Sequence, residues 1–100
     1  FGPIVVTTDE ITDPQTLQLS LTVNGDQRQN GNSKHMLFKV ATLIEDITSG
    51  VTLEPGDVIA TGSPQGVGAA MTPPTFIQPG DVVACTIQSI GTLSNPVVAA

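Results

Sequence analysis

From residue 17 to residue 23 the chain alternates without a break. Leu17, Leu19, Leu21 and Val23 fall on one side, and Gln18, Ser20 and Thr22 on the other. A period of two is that of a strand with one face on a core and one in water. Asn24-Gly25 follows at once. That pair suits a type I′ turn, whose two central residues both take positive φ. The pattern therefore predicts a hairpin, with the returning strand and its exit loop in "QRQNGN", residues 27–32. A different period governs "MLFKVATLIEDI", where Val40, Leu43, Ile44 and Ile47 recur at i, i+3, i+4 and i+7. That spacing is one stripe of a helix. It predicts a helix over residues 39–48, with Gly50 as its stop. The first turn of this helix carries no good capping side chain. Near the start, "IVVTT" at residues 4–8 is a β-branched run that predicts a short strand, and the polar "DEITDP" after it reads as a turn closed by Pro14.

The second half contains a near repeat. "LEPGDVIATG" begins at Leu53 and "IQPGDVVACT" at Ile77. Pro sets φ for the second position of a tight turn and Gly accepts positive φ at the third. Each Pro-Gly pair should turn the chain into a strand, "DVIAT" in the first case and "DVVACTI" in the second. The flanks do not match, so this is shared turn chemistry rather than a duplication. Asp57 and Asp81 sit in those turns, where Asp bonds backbone N–H groups. Only the first copy runs on into "TGSPQGVGAAMTPP", a stretch with three Gly, three Pro and no charge. Loops of this length are uncommon in a small domain unless they carry a function. This one offers backbone N–H groups, the hydroxyls of Thr61 and Ser63 and the amide of Gln65. It lacks the Gly-Lys-Ser/Thr of a P-loop.

Composition narrows the class. With 100 residues the chain is one small domain at most. It has three Phe, no Trp and no Tyr, so Val, Ile, Thr and Leu must supply the bulk of any core. Eight Pro and ten Gly favour turns over long helices. The formal net charge is −6, and Arg28, Lys34 and Lys39 are the only basic residues besides His35. A nucleic-acid binder needs a basic face to replace phosphate counterions, so that class is excluded, as is adsorption to an anionic membrane. No run is long and apolar enough to span a bilayer. A single cysteine, Cys85, excludes an internal disulfide framework. These features set a cytoplasmic expectation. The chain opens at Phe1 inside sequence that reads as structured, and it ends soon after an apolar stretch. A piece of a longer or processed protein is therefore expected.

Taken in order, "FGPIVVTTDEITDPQ", "LTVNGDQRQNGN", "LEPGDVIATGSPQGVG", "PPTFIQPGDVV" and "IGTLSNPV" resemble the fumarylacetoacetate hydrolase family. The match covers nearly the whole chain, and residues 1–100 look like the C-terminal half of that family's catalytic domain. The resemblance implies a mainly β fold, a mixed β-roll with one short α-helix, forming part of a larger, usually dimeric protein. It implies a hydrolase, lyase or isomerase for 2-oxo or 1,3-dicarbonyl acids, acting by C–C cleavage, decarboxylation or isomerisation of acylpyruvate-like substrates. It implies Mg²⁺ (or Mn²⁺ or Ca²⁺) bound by carboxylates, a hard cation being suited to a carboxylate and a neighbouring enol oxygen together.

In the family the metal carboxylates and a catalytic Lys lie upstream of the Gly-Pro that stands here as Gly2-Pro3. The resemblance thus places no metal ligand and no catalytic residue in this chain. It does place Thr61 at the substrate carboxylate, with Gly62 and Ser63 beside it as substrate-binding residues. Ser63 stands where many members have Thr, so the hydroxyl is kept. Departures fall at "NSKHM", where Thr-Ser-Asp-Met is more usual, and at Lys39, where a capping Ser or Asp is common. Without the resemblance, Thr61 reads as a turn hydroxyl, His35 as a surface or helix-entry residue, Cys85 as a small core residue and Asn95-Pro96 as the end of the last strand. The expected partners are a small oxo-acid, the missing N-terminal portion or a companion chain, and a second copy in a dimer. The alternative is a non-catalytic β domain used for assembly or interaction.

Overall fold

Backbone hydrogen bonding organises the chain around the hairpin that the alternation predicts. In the computed structural model, which describes residues 2–100, strand β1 is Gln18–Val23 and strand β2 is Asp26–Asn32. Asn24 and Gly25 turn between them at φ 53° and 86°, angles that Asn and Gly adopt at least cost. The register runs from Val23 opposite Asp26 to Gln18 opposite Asn32. It slips once between Leu21 and Thr22, a bulge that leaves Arg28 without a residue across from it. Strand β3, Val82–Ile87, pairs antiparallel with the other edge of β1, and β4, Gly91–Pro96, returns along β3. The order is β2-β1-β3-β4.

Residues directly opposite in an antiparallel ladder share a face. Leu21 faces Cys85, which faces Leu93, while Leu19 faces Ile87 and Val23 faces Val83. One side of the sheet is therefore apolar, and half-buried Cys85 is a small member of it. The other side is wet, and there the hydroxyls of Thr86 and Thr92 meet at 2.7 Å. The core that results is thin. Among the described residues Val23 is the one buried apolar side chain, and even it keeps 7% of its surface exposed, whereas Val58, Phe38 and Phe76 are 67%, 58% and 64% exposed. The radius of gyration is 15.4 Å, above the roughly 13 Å of a compact chain of this length.

The helix forms where the stripe predicts it. Helix α1 is Val40–Thr48, and Lys39 at its N-cap makes no side-chain cap bond. The cap comes from far away in sequence: the Val40 N–H donates to Gln15 Oε1 at 2.8 Å. Gln15 Nε2 in turn donates to the Ser33 carbonyl at 2.7 Å. Ser33 is buried, its Oγ donating to the Pro14 carbonyl at 2.7 Å and accepting from the Leu17 N–H at 2.8 Å. The polar stretch before β1 is thus the clamp that sets the start of α1. At the other end, Thr48 Oγ1 donates to the Ile44 carbonyl (2.8 Å) and Ser49 Oγ to that of Asp46 (2.7 Å). Gly50 follows the helix as predicted but is not among the residues at positive φ; its N–H and that of Val51 donate to the Ile47 carbonyl, at 3.2 and 3.0 Å, and close the end beside these hydroxyls.

Two predicted strands are absent. Residues 4–8 are not in a ladder; the chain runs on into a turn in which the Glu10 and Ile11 N–H groups donate to the Thr7 carbonyl. Residues 57–61 are likewise outside any ladder. β-Branched side chains suit a strand, but a strand exists only where a neighbour accepts its hydrogen bonds. The described residues give neither segment such a neighbour. No helix of the described residues is long and apolar enough to cross a membrane.

Candidate functional site

The near repeat is a true structural repeat at the turns. Gly56 and Gly80 sit at φ 106° and 97°. The Asp57 N–H donates to the Glu54 carbonyl at 3.1 Å, and the Asp81 N–H to that of Gln78 at 3.0 Å. Each Asp then accepts at Oδ2 from the N–H of the residue that starts its turn, Glu54 at 2.8 Å and Gln78 at 2.7 Å. Asp81 does more. Its Oδ1 accepts from Asn24 Nδ2 at 2.8 Å, and Asn24 Oδ1 accepts from the Val82 N–H at 2.8 Å. The second turn is therefore fastened to the β1–β2 hairpin, which delivers the chain directly into β3. The Gln78 N–H and then the Asn24 amide hold the Asp81 carboxyl below the usual 3.8; desolvation opposes them, and the charge of Arg28 adds a lesser lowering.

The first turn has no such fastening, and the chain after it becomes a loop that docks on the edge strand β2. Three contacts hold it there. Gln29 Nε2 donates to the Pro64 carbonyl at 2.9 Å. Pro64 covers Gly31 so closely that a Cβ on that glycine would lie 3.1 Å from Pro64 Cβ. Gly66, at φ 101°, meets the backbone of β2 where any side chain would run into the Arg28 carbonyl. Gly68 lies equally close to the Thr75 carbonyl and accepts the Thr75 N–H at its own carbonyl, 3.0 Å away, closing the far end of the loop.

What this docking exposes is the segment Thr61, Gly62 and Ser63. All three are exposed and line a cavity of about 700 Å³ whose lining also includes Leu19, Val40 and Leu43. Asn30 and His35 also border it. His35 ends the short turn Ser33–His35 ahead of α1, the helix-entry position expected of it. Among the described residues, the hydroxyls of Thr61 and Ser63 and the N–H groups of residues 61–63 make no hydrogen bond. Gly62, at φ 108°, has open space where a Cβ would project. The site is thus an uncharged cluster of free donors beside an apolar wall. Such a cluster can hold an oxyanion, hydroxyl and amide donors being the groups that pair with a carboxylate.

A metal centre needs convergent anionic or imidazole ligands. Among the described residues no group of three His, Cys, Asp or Glu could hold a metal ion. Asp13, Asp57 and Asp81 are each engaged with backbone N–H groups. The described residues do not fit a metal site of their own.

Gln15 and Gln29 escape sequence reasoning. Nothing in "TDPQT" marks Gln15 as a helix cap for a residue 25 positions on. Gln29 had a faint signal: "DQRQNGN" has no apolar residue on either side, which is odd for a strand beside an apolar one and points to a job other than core packing.

A family model described as "Fumarylacetoacetate (FAA) hydrolase C-terminal" matches residues 1–98. An uncharacterized protein of Staphylococcus saprophyticus is 52% identical over 94 residues, which are 94% of this chain and 31% of that protein. The solved fumarylacetoacetate hydrolase of the psychrophile Exiguobacterium antarcticum superposes with a TM-score of 0.96 at 48% identity, over all of this chain and 36% of its own. Maleylpyruvate hydrolase from Sphingobium sp. SYK-6, solved with manganese(II) and pyruvate, gives a TM-score of 0.87 at 37% identity, over 97% of this chain and 34% of its own. The chain spans about a third of the length of these relatives.

Proposed function

The chain belongs to the fumarylacetoacetate hydrolase family, and we propose that it supplies the carboxylate-binding wall of a divalent-metal-dependent hydrolase or lyase for 2-oxo or 1,3-dicarbonyl acids. The observation that carries this reading is the set of unused donors on Thr61, Gly62 and Ser63 facing the large cavity. Thr61 Oγ1 donates to the substrate carboxylate, and the neighbouring N–H groups share its charge. Leu19, Val40 and Leu43 border the same cavity, so a pair formed there is stronger than in bulk water once the rest of the protein covers it. The manganese and pyruvate of the Sphingobium enzyme support both the oxo-acid class and divalent-metal use. For this protein we infer Mg²⁺ or a similar hard cation, held by residues outside this chain.

The same reading explains the exposed apolar surface. Val58, Phe38 and Phe76 and the unpaired segments 4–8 and 57–61 need cover and strand partners. We assign both to the remaining part of the catalytic domain or a companion chain, in a dimeric cytoplasmic enzyme. The alternative of a non-catalytic β domain is favoured by one observation, the lack of a metal-holding cluster among the described residues.

Thr61→Val decides between them in the full-length protein, assayed with Mg²⁺ or Mn²⁺ on acylpyruvates and oxaloacetate. Val keeps the shape and removes the donor. A hydrogen bond to a charged group contributes about 1.5–3 kcal/mol, so kcat/KM should fall roughly ten- to hundredfold. Thr61→Ser should keep much of the activity. An unchanged kcat/KM in Thr61→Val at unchanged stability would leave Thr61 a structural residue. No turnover of any oxo-acid, with no pyruvate binding, would favour the assembly domain.

A further inference from the structure

The geometry points to Gln29 as a positioning residue for the carboxylate site: its amide holds the Thr61–Ser63 donors in place through the Pro64 carbonyl. This rests on the reading of Thr61 given above and extends it to a residue that touches no substrate. Gln29 stands opposite Leu21 in the ladder, so its side chain leaves the sheet on the apolar side. An amide there needs a polar partner, because burying one without a hydrogen bond is unfavourable. The half-buried Gln29 finds that partner in the Pro64 carbonyl, 2.9 Å away. It sits behind the loop, in a smaller cavity of about 400 Å³ that it shares with Gly66 and Met71, rather than in the cavity that Thr61 faces.

The placement matters because the loop has little else to fix it. Thr61, Gly62 and Ser63 make no hydrogen bonds among the described residues, and Gly62 is free to adopt many backbone angles. Pro64 is the first residue after them that is anchored, with Gln29 bonding its carbonyl and its ring resting on Gly31. Donors that must converge on one carboxylate lose effectiveness when their loop samples many positions, since binding then includes ordering it. Gln29 does that ordering before the substrate arrives.

The test is a double-mutant cycle in the full-length, Mn²⁺-loaded protein, with pyruvate as the probe and its Kd measured by calorimetry. Gln29→Met keeps length and removes the donor. It should weaken pyruvate about three- to tenfold, the range of one neutral hydrogen bond. It should also speed amide hydrogen exchange in residues 61–68 without pyruvate. Combined with Thr61→Val, it should add clearly less than it costs in the parent, because the main donor that it positions is then gone and only those of Gly62 and Ser63 remain. Gly31→Ala tests the same idea should Gln29→Met fail to fold. Its new Cβ presses on Pro64 while Gln29 stays, and pyruvate should again bind more weakly. A Gln29→Met protein that binds pyruvate like the parent, or losses that multiply in the double variant, would overturn the positioning role and leave Thr61 as a ligand. Unchanged binding in Thr61→Val, or no pyruvate binding by the parent, would remove the Thr61 reading and this inference with it.

Discussion

Gly66→Ala compared with Gly62→Ala separates backbone freedom from close approach. Both glycines lie in the same loop at nearly the same φ, 101° and 108°. A side chain at such angles costs on the order of 1–3 kcal/mol by itself, and this part is common to both variants. The surroundings differ. At Gly62 a Cβ would meet nothing within 4 Å, whereas at Gly66 it would run into the Arg28 carbonyl and come within 3.3 Å of Gln29 Cγ. Arg28 and Gln29 belong to a strand held by its ladder to β1, so the loop must move instead. Moving it breaks the Gln29–Pro64 bond, a further loss of about 0.5–1.5 kcal/mol. Gly66→Ala should therefore destabilise the full-length protein by roughly 1 kcal/mol more than Gly62→Ala, in urea unfolding with m unchanged. It should also weaken pyruvate binding, because the displaced loop carries Thr61. Equal losses of stability within about 0.3 kcal/mol would refute the docked loop. So would a Gly66→Ala protein with intact binding.

Three shorter tests address the scaffold. Ser33→Ala removes the group that joins the Pro14 carbonyl to the Leu17 N–H, and it should cost about 1–3 kcal/mol in urea unfolding; a cost below about 0.5 kcal/mol would show that water replaces the hydroxyl. Asp81 has a lowered folded pKa, so its stabilising contribution is complete above the unfolded value of 3.8 and is lost as pH falls through the folded one. Carbon-13 titration of its carboxyl should give a midpoint below 3.8. In Asn24→Gly, which keeps the turn and removes the amide donor, the midpoint should move partway back; a parent midpoint at or above the ordinary value would contradict the bonding described. Residues 1–100 expressed alone should self-associate or bind a hydrophobic dye through their exposed Phe38, Val58 and Phe76, and a monomer with one cooperative melt would refute the need for a covering partner.

Local pattern was enough for the elements whose hydrogen bonds are local. The alternation from Leu17 to Val23, the Asn24-Gly25 pair and the stripe Val40, Leu43, Ile47 each became the element that they predict. The fold class and the family were legible too, because the motifs occur in order along the chain. The failures share one physical cause. Whether residues 4–8 and 57–61 become strands depends on a neighbour's hydrogen bonds, and no pattern within the segment encodes it. The cap of α1 is invisible in its own first turn for the same reason: it is Gln15, brought there by Ser33 and the chain reversal around it. At the candidate site the glycines were visible while their reasons were not. Gly66 and Gly68 are required by backbone passing within van der Waals contact, and Gly62 by its angle alone.

The paired Pro-Gly-Asp turns show how one local motif serves two ends. Both turns close alike, with the Asp side chain accepting from the residue that opens the turn. The difference lies in what waits beyond. After Asp81, Asn24 and β1 stand ready, and the chain spends its N–H groups on a ladder. After Asp57 no strand is in place among the described residues, so the backbone reaches Thr61, Gly62 and Ser63 with its donors unspent. A fully paired strand could not offer those donors to an anion, and an unanchored one could not aim them. The loop avoids both outcomes because it is fastened only past the donors, by Gln29 at Pro64 and by the close seat of Gly66 on β2. The sheet thus contributes a fixed edge and the first turn a free segment, and a carboxylate site on this chain needs both.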